Sequence, residues 1–186
     1  MSGLPTGTLI DLAVEEPGWL EDLPELEAHA EAAARLALEA AGIDPAQRII
    51  GLLACSDARI AVLNHDFRGK AQATNVLSWP AFALAPPWPG ACPPPPPEPA
   101  LGMPQPLGDV AIALQTTRRE ALERAIPLKD HVIHLILHGC LHLLGFDHET
   151  DADAETMEGI ETSALARIGV ADPFVRGDAG QPHPDR

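Results

Sequence analysis

Residues 129–148 read KDHVIHLILHGCLHLLGFDH, and this stretch decides how the rest of the chain is read. From Lys129 to Leu144 apolar side chains fall on nearly every face of a 3.6-residue spiral. That pattern predicts a helix buried at the centre of the protein. The most apolar stretch, Val132 to Phe146, is too short to span a bilayer and carries three histidines. Gly145 is placed to stop the helix in a left-handed turn.

The histidines then sort by geometry. Side chains four apart on a helix share a face, so His134/His138 and His138/His142 are both possible chelating pairs. All three cannot share one ion, because His134 and His142 are separated by about 12 Å of rise. The turn at Gly145 brings His148 back toward the later pair. The reading is therefore one zinc ion per chain, held by His138, His142 and His148, with a fourth position open as in catalytic zinc sites. Imidazole ligands also suit nickel, copper or iron. His134 is expected as a wall of the site or a neighbour of its ligands, and His131 as a surface residue. The run His138-x-x-x-His142-x-x-Gly145-x-x-His148 also matches the end of the metzincin protease pattern, HExxHxxGxxH. Position 139 is Gly, however, where those proteases carry their general base. This counts against peptide hydrolysis.

Working outward, Leu9–Val14 alternates as a strand. A helix follows, with Pro24 in its first turn, apolar positions from Leu26 to Ala41, and Gly42 as its stop. Ile49–Ala54 is a short apolar strand, and Ser56 caps a helix over Asp57–Asp66. Arg68-Gly69-Lys70 is a turn. Asn75–Trp79 is a strand ended by Pro80. Gly108–Leu114 is a strand, Gln115–Ala125 a helix, and Pro127 ends or restarts it. Thr150 with Asp153 caps a last helix that runs to about Ile168. The expected fold is α+β: a small mixed sheet packed with helices, and a metzincin-like zinc site on the buried central helix.

Residues 1–171 are expected to form a single catalytic domain. Within it, 86–106 reads as a proline-rich surface insertion, since five consecutive prolines from Pro93 favour polyproline II over helix or ladder. A ligand for a proline-recognition domain is the alternative for that segment. Residues 172–186 read as a flexible tail, and the Arg176-Gly177-Asp178 triplet in it as a chance match.

The opening residues show neither a basic nor an apolar targeting region, and a cytoplasmic protein is expected. Cys55, Cys92 and Cys140 have no CxxC spacing and read as reduced structural thiols. A net charge of −15 argues against broad phosphate contacts with nucleic acid. It still allows one confined basic cleft, because Arg68, Lys70, Arg118, Arg119 and Lys129 lie mid-chain while the acids concentrate in Glu15–Glu31 and Asp147–Glu161.

Three segments resemble one family. His138-Gly-Cys-Leu-His142-Leu-Leu-Gly-Phe-Asp-His148 is similar to the HGxLHLxGxDH signature of the YbeY proteins. Leu63-Asn-His-Asp-Phe-Arg68-Gly-Lys70 with Thr74-Asn-Val-Leu-Ser-Trp-Pro80 is similar to their LNxxYRGKxxxTNVLSFP stretch. Leu107-Gly-Asp-Val-Ala-Ile-Ala113 matches their LGDIxIA strand. The resemblance spans about residues 8–168, and the long insertion and extra tail depart from it.

The resemblance implies a metal-dependent, single-strand-specific endoribonuclease that matures ribosomal RNA, notably the small-subunit 3′ end, and takes part in ribosome quality control. Ribosomal RNA and the ribosome or its associated proteins are the implied partners; neither DNA nor a membrane is expected. Arg68 is then the candidate for meeting phosphoryl charge, and His138 is assigned with it as catalytic. Lys70 and His134 are candidate substrate contacts. A metzincin-like metallopeptidase and a non-catalytic ribosome-assembly factor with a structural metal are the competing readings.

Overall fold

The computed structural model describes residues 7–175. Four strands, β1 (Ile10–Val14), β2 (Arg48–Cys55), β3 (Val76–Pro80) and β4 (Gln105–Ala113), form one mixed sheet in the order β1-β2-β4-β3. β1, β2 and β4 run parallel, and β3 pairs antiparallel with β4 at the edge. The helices are α1 (Gly18–Asp22), α2 (Leu26–Ala40), α3 (Asp57–Arg68), α4 (Leu114–Glu123), α5 (Leu128–Leu143) and α6 (Asp151–Ala166). The expected α+β layering and element order hold, with α1 added.

β2 alternates between faces, as its period of two requires. Ile50, Leu52 and Ala54 join the main core under α2 and α5, while Cys55 joins a smaller cluster with Ile60 of α3 on the other face. β4 does the same only after a register shift opposite Ile49 and Ile50. The shift lets Leu107 and Val110, an odd number of residues apart, both enter the main core. It also accommodates Pro106 in the strand, since β3 pairs only from Gly108 onward and no partner on that side needs the missing N–H.

α5 is the central helix. Ten of its residues are buried, and its less buried stripe is His134, His138 and His142. Burying one large apolar side chain is worth about 1.5–3 kcal/mol. The helix is therefore held on all sides except the stripe that carries the imidazoles.

Several sequence expectations need correction. Pro24 precedes α2 rather than lying in its first turn, because Glu25 is the N-cap. α1 leaves no mark in the sequence pattern because five residues are too few for a periodic signal; it is anchored by Trp19, whose Nε1 donates to the Cys55 carbonyl at 3.0 Å. His131 is 2% exposed, not a surface residue: its Nε2 lies 2.8 Å from Glu120 Oε2, and Asn75 donates to the same carboxylate. Cys55 and Cys140 are buried free thiols, but Cys92 is exposed.

The proline-rich segment also lies closer to the body than a loose surface insertion would. Its C-terminal end, Gln105-Pro106, already belongs to β4. Pro96 is buried. Arg48, only 5% exposed, donates to the Pro97 carbonyl at 3.0 Å. Gly90 N–H donates to Asp153 Oδ1 at 2.7 Å, tying the segment to α6. Polyproline II leaves its carbonyls free, and neighbouring donors take them up. Of the expected tail, residues 172–175 are described; the Arg176-Gly177-Asp178 triplet lies outside the described residues. No helix among the described residues is long and apolar enough to cross a membrane.

Candidate metal centre

α5 ends where its last carbonyls are taken up by a tight turn. Gly145 has φ +88°, a conformation that L side chains rarely adopt, and a Cβ there would run into the Leu84 carbonyl. Phe146 N–H donates back to the Leu141 carbonyl at 3.1 Å. This turn carries His148 back over the helix end. Its ring centroid lies 5.5 Å from that of His138 and 5.1 Å from that of His142. One nitrogen from each of the three rings falls within a 4.8 Å group. The structure thus brings together the three residues expected as ligands.

Hydrogen bonds select which nitrogens face each other. His142 Nδ1 lies 2.9 Å from the Phe146 carbonyl, which can only accept. His138 Nδ1 lies 2.7 Å from Glu161 Oε1. Burial raises the Glu161 pKa, but hydrogen bonds from His134 and His138 outweigh it and bring the carboxyl down to about 2. It is therefore ionised near neutral pH and also only accepts. Both Nδ1 atoms then carry hydrogen, and both Nε2 atoms carry lone pairs.

The two Nε2 atoms stand 3.0 Å apart. Two lone pairs at that distance repel unless a cation, a proton or a metal ion, lies between them. Nitrogens ~2.0–2.1 Å from one tetrahedral ion would stand roughly 3.3 Å apart. Burial, then the neighbouring His138 and His148, push the His142 pKa down to about 4, which keeps that ring neutral and able to ligate. The donor set fits a divalent metal.

Glu161 is the residue that sequence reasoning missed. It is 1% exposed and reaches the site from α6, with His134 Nε2 2.7 Å from its other oxygen. The available signal was an acid at an otherwise apolar position: Met157, Glu161 and Leu165 recur at four-residue spacing on the buried side of α6. His134 therefore neighbours His138 through a shared carboxylate. His134, His138 and Glu161 also form a second group with metal-ligand proximity.

Arg68 ends α3 and lines a cleft with Ser78, His142 and Asp147. It is exposed, and none of the ion pairs among the described residues uses it. Its guanidinium is available to an anion beside His142. Lys70 is exposed in the turn after α3 and is not among the residues lining that cleft.

Gly139 also explains why no metzincin glutamate follows His138. A Cβ at this position would meet Val110 Cγ1 at 2.9 Å and Ser78 Oγ at 3.2 Å. The helix packs closely on β4 there, and a side chain at 139 would point into the sheet rather than at the imidazoles.

Residues 19–169 match the family described as Endoribonuclease YbeY. The Endoribonuclease YbeY of Dinoroseobacter shibae is 50% identical over 170 residues, covering 91% of this chain and 92% of the relative. That of a Jannaschia species is 48% identical over 165 residues, covering 89% of this chain and 99% of the relative. The solution structure of TM1509 from Thermotoga maritima aligns with 94% of this chain and 100% of its own, at 18% identity and a TM-score of 0.48.

Proposed function

The chain belongs to the YbeY endoribonuclease family, and from that premise we propose that it is a zinc-dependent, single-strand-specific endoribonuclease acting in ribosomal RNA maturation. The proposal extends to the small-subunit 3′ end as target, a part in ribosome quality control, work in the cytoplasm on or near the ribosome, and a catalytic domain spanning residues 1–171. The observation that carries the chemistry is the facing pair of His138 and His142 Nε2 atoms with His148 beside them, where His142 also lines a cleft with Arg68.

His138, His142 and His148 would hold one zinc ion per chain. When bound, the ion supplies Lewis acidity to the reacting oxygens. The Phe146 carbonyl and Glu161 orient the His142 and His138 rings. Arg68 meets the negative charge that builds on the phosphoryl group, as a fork of donors. His134 stands behind Glu161 rather than on the cleft wall, and Lys70 offers a more distant phosphate contact. The net charge of −15 favours weak intrinsic RNA affinity, with the ribosome or a partner protein completing the binding.

The test is incubation of zinc-loaded protein with single-stranded RNA, with duplex RNA and His138→Ala as controls. Cleavage of the single strand alone, absent in His138→Ala, is expected. Equal cleavage by the variant, or none by the zinc-loaded protein, would overturn the proposal.

A further inference from the structure

The carboxylate of Glu161 lies 2.7 Å from a ring nitrogen of His138 on one oxygen and 2.7 Å from a ring nitrogen of His134 on the other. It is 1% exposed, and it comes from α6 while both histidines come from α5. A carboxylate so placed is not a solvated surface acid; it is enclosed by the two rings it receives from. We propose that Glu161 is the positioning residue of the metal centre, holding His138 in the tautomer that presents Nε2 to the ion while His134 donates to its second oxygen.

An imidazole has two nitrogens, and a neutral ring carries hydrogen on only one. Without Glu161, His138 could place its hydrogen on Nε2, the atom facing His142, and lose its capacity to ligate. With a carboxylate oxygen accepting 2.7 Å from Nδ1, the hydrogen sits on Nδ1, and Nε2 is left for the ion. The same bond raises the basicity of the ligating nitrogen. His134 completes the arrangement by donating from Nε2. Its Nδ1 is buried with no partner among the described residues, as expected for the nitrogen without hydrogen. A bare lone pair there costs less than an unpaired N–H would.

The competing role is direct ligation by His134, His138 and Glu161, whose atoms also lie close together. That would require hydrogen to leave both ring nitrogens now facing the carboxylate. Positioning keeps every bond as it stands.

The proposal rests on the reading of His138 as a ligand, and the experiment separates the two. Zinc affinity is measured by chelator competition on the folded full-length chain, alongside the cobalt absorption spectrum and the melting curve of the metal-free protein. Glu161→Ala is expected to bind one zinc with roughly 10–100-fold lower affinity. Glu161→Gln, which keeps an acceptor but no charge, should fall between Ala and wild type. His134→Ala should keep one zinc per chain. Nitrogen-15 imidazole spectra of the zinc-loaded wild-type protein should show hydrogen on Nδ1 of His138 and on Nε2 of His134. They settle the matter even if both Glu161 variants fail to fold.

Wild-type affinity in a folded Glu161→Ala protein, or hydrogen on Nε2 of His134 without hydrogen on Nδ1 of His138, overturns the positioning role. Loss of zinc from His134→Ala together with Glu161→Ala overturns it in favour of ligation. Full zinc retention by His138→Ala would instead defeat the ligand assignment itself.

Discussion

Arg68 is the residue whose position most separates chemistry from scaffold. It is exposed at the end of α3, yet it lines the same cleft as His142. Arg68→Ala should therefore keep its metal and its melting behaviour, since an exposed side chain adds little to the core. RNA cleavage should fall by about a hundredfold or more, the usual loss when one electrostatic stabiliser is removed. Arg68→Lys should restore only part, because a point charge replaces a fork. A wild-type rate in Arg68→Ala would remove the residue from the reaction. The imidazoles make the complementary case. His138→Ala, His142→Ala and His148→Ala should each lose the bound metal on elemental analysis, and His134→Ala should retain it. Any ligand variant that keeps a full equivalent is struck from the set.

At the scale of elements, the turn after α5 and the proline-rich segment carry separate expectations. Gly145 combines a φ of +88° with the close approach of the Leu84 backbone, whereas Gly69 has a φ of +68° and open space around it. Left-handed strain alone costs about 1–2 kcal/mol. Gly69→Ala should show that cost and no effect on metal. Gly145→Ala should cost more and also weaken metal retention, because the backbone that returns His148 must move. Equal melting shifts and equal zinc content in the two variants would show that the turn does not position His148. Deleting residues 91–99 removes the carbonyl that Arg48 uses at 3.0 Å and the buried Pro96. The expected loss is about 1–2 kcal/mol, a few degrees in Tm for a chain of this size, with zinc content unchanged. An unchanged Tm would mean that water replaces both contacts without cost.

At the scale of the whole molecule, acid should unfold the metal-free protein through its buried site. Burial and the neighbouring imidazoles lower the His142 pKa from 6.5 to about 4. The unfolded chain therefore takes up that proton first as pH falls. Between roughly pH 6.5 and 4 it binds more protons than the folded chain, so stability declines with acid, by on the order of 3 kcal/mol at most. His134 is shifted in the same direction by burial. Below about pH 4.5 Glu161 adds to the loss, since its folded pKa is depressed from 4.5 to about 2. Urea denaturation of chelator-treated protein at a series of pH values reads this directly. A midpoint that holds steady from pH 7 to 4.5 would refute it. Zinc should oppose the decline at the upper end of the range, where the site is still free of protons.

Much of the fold and of the histidine cluster follows from local pattern. The strand and helix positions come from periodicities of 2 and 3.6. His138, His142, Gly145 and His148 lie within eleven residues, so one helix face and one turn suffice to bring them together. The Ser56 and Thr150 caps act three residues ahead, on the N–H groups of Arg59 and Asp153. What only the tertiary structure decided involves partners distant in the chain. Glu161 reaches His138 across 23 positions and Arg48 reaches Pro97 across 49. His131 is buried because Glu120 and Asn75 converge on it, although its position on the helix carries no sign of this. A buried polar side chain is tolerated only when a partner meets it. That partner is supplied by another element, and its identity appears only when the elements pack.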